Sequence, residues 1–98
     1  MTLLDDAQIQ ERLIGLEWRR DGDTIVRELE LADFVAAIEL VERVARIAED
    51  ANHHPDILVH GWNKVRLTLS THSEGGLTEA DFSLAERIDA PVEPVFDG

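Results

Sequence analysis

Glu49, His53, His54 and His72 are the residues of this 98-residue chain best suited to moving protons. Imidazole titrates near neutrality, so a histidine can both give and take a proton under ordinary conditions. Acid–base chemistry asks for such a group in a fixed orientation, with a second titrating group opposite. His53 and His54 follow Asn52 and precede Pro55, while His72 closes an alternating run after Ser70 and Thr71. Neighbouring residues inside a helix diverge by about 100°, which would send two adjacent imidazoles apart. Pro55 changes this, because it pushes His54 into extended backbone while His53 still belongs to a helix end. Both rings can then reach one cleft. A helix C-terminus also favours protonated imidazole through its unpaired carbonyls. Glu49 lies four residues before His53, on the same helical face, and can orient that ring.

Spacing alone leaves other readings open. A His-His pair is more often a helix-end cap or exposed polar surface than a site. Three histidines with Glu49 also have the ligand types of a zinc centre, although no HExxH or similar spacing supports one.

Periodicity outlines the elements that must position these side chains. Residues 5–16 read as a short helix, capped by Asp5 or Asp6, with Ile9, Leu13 and Leu16 at helical spacing. A hairpin follows, with Trp18 in its first strand, a turn at Asp21-Gly22, and residues 25–31 as a half-buried strand. Ile25, Leu29 and Leu31 share one face of that strand and Glu28 and Glu30 the other. The longest helix is predicted over 33–52, with Phe34, Ile38, Val41, Ala45 and Ala48 on a stripe widened by Val44 and Ile47. Pro55 is its expected stop.

Residues 62–71 give the clearest strand, with Val65, Leu67 and Leu69 alternating against Lys64, Arg66 and Thr68. Residues 57–59 read as a short partner strand, and His60-Gly61 falls near the turn. After a loop at 74–76, Thr78 starts a last helix, with Asp81 completing a capping-box pattern. Phe82, Ala85 and Ile88 then face inward, and residues 91–98 read as an extended tail. The predicted fold is α+β, in α-β-β-α-β-β-α order, with helices on one face of a four-stranded antiparallel sheet.

Composition sets the class. The length fits a single domain over 1–98, and 44% hydrophobic with 31% charged residues is ordinary for a soluble globular protein. So short a chain buries a modest core, which makes self-association an expected way of enlarging it. The absence of cysteine excludes disulfides and thiolate metal sites and suits a reducing cytoplasm. A net charge of −12 repels phosphate backbones and anionic lipid, so neither nucleic acid nor a membrane surface is an expected partner. The N-terminus carries acids where a signal peptide needs basic residues, and no apolar run is long enough to span a bilayer.

One pattern goes further. Glu49, His53-His54-Pro55, Trp62, His72 and Asp81, at their spacings, resemble the signature of the pterin-4a-carbinolamine dehydratase family. Asn63-Lys64-Val65, Leu69-Ser70-Thr71-His72 and Gly76-Leu77-Thr78 resemble the segments around it, as do Trp18 and Asp33-Phe34, so the likeness spans 13–88. It implies a helix-flanked four-stranded sheet and a hydro-lyase that dehydrates 4a-hydroxytetrahydropterin to quinonoid dihydropterin, recycling tetrahydrobiopterin without metal or other cofactor. Carried over by position, His53 and His72 become the acid–base pair, His54 contacts and orients the pterin, and Glu49 positions His53. Trp18 walls the pocket or fills the core, and Asp81 contacts substrate or caps its helix. Trp62 is expected to pack and His60 to lie at the surface.

The family also implies a homodimer or homotetramer. Ile57, Asn52 and Ala80 depart from its common aromatic, acid and arginine, changes that touch the pocket rim. Some members act as non-catalytic assembly or dimerisation partners, so a protein-binding module is the alternative expectation.

Overall fold

The computed structural model describes residues 2–90. Side-chain caps decide where its helices begin. Asp5 accepts from the Gln8 N–H at 2.8 Å while the Gln8 side chain accepts from the Asp5 N–H at 2.9 Å, opening helix α1, Asp6–Leu13. Strands β1, Arg19–Asp21, and β2, Thr24–Glu30, then pair with Asp21 opposite Thr24. The turn is therefore Gly22-Asp23, one residue later than predicted, with Gly22 at φ +60° where a side chain would be strained. Trp18 precedes β1 instead of lying in it.

Asp33 caps helix α2, Phe34–Ala51, by accepting from the Ala36 N–H at 2.7 Å. Its inner stripe is Ala37, Val44 and Ala48, with Leu40, Val41 and Ile47 partly buried. Phe34 and Ala45 were expected on this stripe, yet both are exposed. They lie about 60–80° round the helix from its centre, at about 100° per residue, and so miss the sheet.

The helix also ends earlier than Pro55 requires. Asn52 adopts the left-handed conformation at φ 51°, its N–H reaching Glu49 O, while the His53 N–H donates to Ala48 O at 3.1 Å. That is a Schellman ending, which asparagine tolerates better than most residues. Pro55 acts after the helix is already closed.

Strand β3, Asp56–His60, strand β4, Lys64–Leu69, a single 3-10 turn, His72–Glu74, and helix α3, Glu79–Asp89, complete the chain. The sheet order is β1-β2-β4-β3, antiparallel throughout. Ile25 opposes Leu69, Leu29 opposes Val65 and Ile57 opposes Leu67, and this side of the sheet meets Ile9, Ala37, Val44, Phe82 and Ala85 from the three helices. Glu28 and Arg66 occupy the opposite side. The α+β order and the one-sided helix layer match the prediction.

At the β3–β4 turn Gly61 and Trp62 both have positive φ, 54° and 58°, and the Asn63 N–H donates to Gly61 O at 2.7 Å. Asn63 clasps this turn to the end of β2, its Nδ2 donating to Leu31 O while its own carbonyl accepts from the Leu31 N–H. A left-handed residue cannot continue a strand. Trp62, expected to pack within β4, instead stands outside it at 62% exposure. The predicted tail, 91–98, lies outside the described residues.

Candidate active site

Antiparallel pairing of Asp56 with Thr68 puts the start of β3 beside the end of β4. His53 and His54, just before β3, and His72, just after β4, therefore emerge at the same end of the sheet. The predicted juxtaposition of helix end and strand tip holds at the level of backbone.

His53 is the most firmly held of the three. Its side chain is 17% exposed, and Nε2 lies 2.6 Å from Oδ1 of Asp81, which is wholly buried. Asp81 is in turn fixed through Oδ2, which accepts from the Thr71 hydroxyl at 2.7 Å and the Thr78 N–H at 2.9 Å. The second bond is the predicted capping box of α3. One carboxylate thus caps a helix with one oxygen and holds an imidazole with the other. Buried beneath its partners, Asp81 has no surface to offer a substrate and takes the capping alternative.

Glu49 is a correction. It was expected to orient His53, four residues on, but its Oε2 bonds His54 Nε2 instead. The i,i+4 relation ends where the helix ends, and Asn52 in its left-handed conformation redirects the chain before His53. His54 and Glu49 are both exposed, at 56% and 77% of their side chains.

His72 opens the 3-10 turn and is exposed. Thr71 anchors that turn from behind: its N–H donates to Gly76 O at 2.8 Å, and its carbonyl accepts from the Glu74 N–H at 3.0 Å. Trp18 takes the core alternative. It is 5% exposed among core residues, with its indole N–H donating to Asp89 Oδ2 at 2.9 Å, so it does not wall a pocket.

Two surface cavities lie elsewhere. One of about 390 Å³ is lined by Asp6, Ile9, Gln10, Leu13 and Arg20, and one of about 170 Å³ by Glu28, Leu29, Glu30, His60 and Lys64. His53, His54 and His72 line neither of these two. Among the described residues no group of three or more His, Asp or Glu is placed to hold a metal ion.

Sequence reasoning paired Thr78 with Asp81 as a capping box but missed Thr71, the other hydroxyl behind that carboxylate. The signal was present for Thr71, which follows Val65, Leu67 and Leu69 on the inward side of an alternating run. A hydroxyl facing inward at a strand end needs a polar partner.

Comparison with known proteins converges on one family. The family described as Pterin 4 alpha carbinolamine dehydratase matches residues 2–91. A Mycobacteroides abscessus protein named "Putative pterin-4-alpha-carbinolamine dehydratase" is 46% identical over 93 residues, covering 94% of this chain and 98% of that protein. A Roseiflexus castenholzii protein of the same name is 52% identical over 89 residues, covering 90% of this chain and 95% of its own. Among solved structures, a transcriptional coactivator/pterin dehydratase from Brucella melitensis superposes with TM-score 0.84 at 32% identity, covering 90% of this chain and 96% of that one. A pterin dehydratase-like RuBisCO assembly factor of the alpha-carboxysome shares the fold, with TM-score 0.64 at 23% identity over 76% of this chain and 88% of that one.

Proposed function

Because this chain belongs to the pterin 4 alpha carbinolamine dehydratase family, we propose that it dehydrates a 4a-hydroxytetrahydropterin to the quinonoid dihydropterin. The C4a–O bond breaks as the hydroxyl gains a proton and leaves as water. The neighbouring ring nitrogen loses its proton, and its electron pair forms the new C=N bond. Both transfers suit imidazoles standing round a flat heterocycle.

The observation that carries this reading is the half-buried His53 ring anchored by a fully buried carboxylate, 2.6 Å away. Only a ring held in place can meet a leaving group at a defined angle. His53 and His72 act as the acid–base pair, and His54, steadied by Glu49, orients the pterin at the rim. The reaction recycles tetrahydrobiopterin in the cytoplasm, and the chain works as a homodimer or homotetramer.

Purified chain mixed with freshly generated 4a-hydroxytetrahydropterin should speed the appearance of quinonoid product, followed by absorbance. His53→Ala should slow it about 100-fold or more, the usual scale for losing a general acid or base. No acceleration over buffer by the unaltered chain would end this reading.

The assembly role named for the carboxysomal neighbour supports a second reading on the same fold, a non-catalytic module that binds a protein partner. A stoichiometric partner whose binding survives His53→Ala, in a chain without dehydratase activity, would favour it.

A further inference from the structure

Behind His53 lie two buried hydroxyls that the proposed reaction does not use directly. Thr71 is 8% exposed and Thr78 is wholly buried. Their oxygens are 2.8 Å apart, and Thr71 Oγ1 is 2.7 Å from Asp81 Oδ2. We propose that Thr71 and Thr78 are positioning residues whose hydroxyls, acting through Asp81, hold His53 with its proton on Nε2 and leave Nδ1 to exchange a proton with the pterin. The choice of pterin as the reacting partner rests on the dehydratase reading; the proton's location does not.

The direction of the chain follows from donor and acceptor inventory. A carboxylate only accepts, so the Thr71 hydroxyl spends its hydrogen on Asp81. Thr71 Oγ1 keeps its lone pairs for the Thr78 hydroxyl, 2.8 Å away. Thr78 Oγ1 meanwhile accepts from backbone N–H groups at the start of α3, including Ala80 at 3.2 Å. Hydrogen bonds linked in such a series polarise one another. With Oδ2 occupied by the Thr71 hydroxyl and the Thr78 N–H, Oδ1 faces the imidazole. The ring nitrogen opposite an acceptor-only oxygen is the one that carries hydrogen. That nitrogen is Nε2.

The result is a fixed tautomer with a defined reacting atom. A ring free to place its hydrogen on either nitrogen would present Nδ1 as a base for only part of the time. A fixed carboxylate partner removes that ambiguity, as in other imidazole catalysts oriented by a buried acid.

The test reads the tautomer in the full chain without substrate. Long-range ¹H–¹⁵N correlation spectra assigned to His53 report which ring nitrogen bears hydrogen when the ring is neutral. The unaltered chain should show the Nε2–H form. Thr71→Val, which keeps shape and removes the hydroxyl, should bring in the Nδ1–H form and lower kcat about tenfold, the scale of one hydrogen bond to a charged group. KM should stay within about twofold, and Thr71→Ser should restore both signals, which a packing role alone would not require.

An Nδ1–H ring in the unaltered chain would overturn the proposal even if Thr71→Val failed to fold. So would a Thr71→Val chain with tautomer and kcat unchanged. An inactive unaltered chain that nevertheless shows the Nε2–H form, shifting in Thr71→Val, would remove the dehydratase reading and leave the positioning role intact.

Discussion

Deleting Asp81 is a sharp test of how this end of the molecule is held together. The side chain is wholly buried and receives the Thr71 hydroxyl, the Thr78 N–H and the His53 ring. In Asp81→Ala the first two donors keep their interior position and lose this acceptor, at about 1–3 kcal/mol each. His53 is partly exposed and can turn to water, so it adds little. The sum is about 2–6 kcal/mol, drawn toward its lower half because removing a buried carboxylate also removes its desolvation cost. For a domain of this size that corresponds to a fall in Tm of roughly 10–25 °C.

Asp81→Asn keeps one carbonyl oxygen for the two donors and should cost no more than about 1.5 kcal/mol. Urea midpoints followed by circular dichroism, at a fixed protein concentration so that self-association is constant, measure both. The accounting fails if the alanine variant matches the asparagine variant, or if it lies within about 0.5 kcal/mol of the unaltered chain.

Two further outcomes follow from particular contacts. Asn52→Val should cost about 1–2 kcal/mol, because a branched side chain resists the left-handed backbone that closes α2, whereas Asn52→Gly should be close to neutral. Thermal melts that fail to separate the two would show that the helix does not end as described. Glu28 is held below the usual carboxylate range first by its hydrogen bond and charge pairing with Arg66, then by Arg19. Its stabilising effect is present above the ordinary carboxylate value and is lost as pH falls through the depressed one. Carboxyl titration by NMR should place its midpoint low, return it upward in Arg66→Met, and show salt weakening the effect at this exposed site. A midpoint indifferent to Arg66 would contradict the contact.

Most of the fold was legible in the chain because local signals agree with each other. Asp33 and Thr78 are strong caps before apolar periodic runs, and both open helices where predicted. Val65, Leu67 and Leu69 alternate cleanly, and all three are buried. The histidines stood out by residue type and spacing, but the contacts that hold them did not. Glu49 was assigned to His53 on helical geometry that Asn52 had already ended. A left-handed asparagine is a conformational choice that no periodicity records. Asp81 was read as a cap, which it is. That its other oxygen meets a ring 28 residues earlier depends on tertiary packing. Phe34 and Trp62 misled for the opposite reason: both are large and apolar, and both face water.

Helix α2 has a geometric consequence for the whole molecule. It begins three residues after Leu31, where Asn63 fastens the Trp62 turn, and it finishes at the histidines. Eighteen residues at about 1.5 Å each make a stiff rod of about 27 Å between these two poles. Occupying the indole pole leaves the imidazole pole uncovered. A molecule resting on the exposed indole would therefore sit about a helix length from the imidazoles.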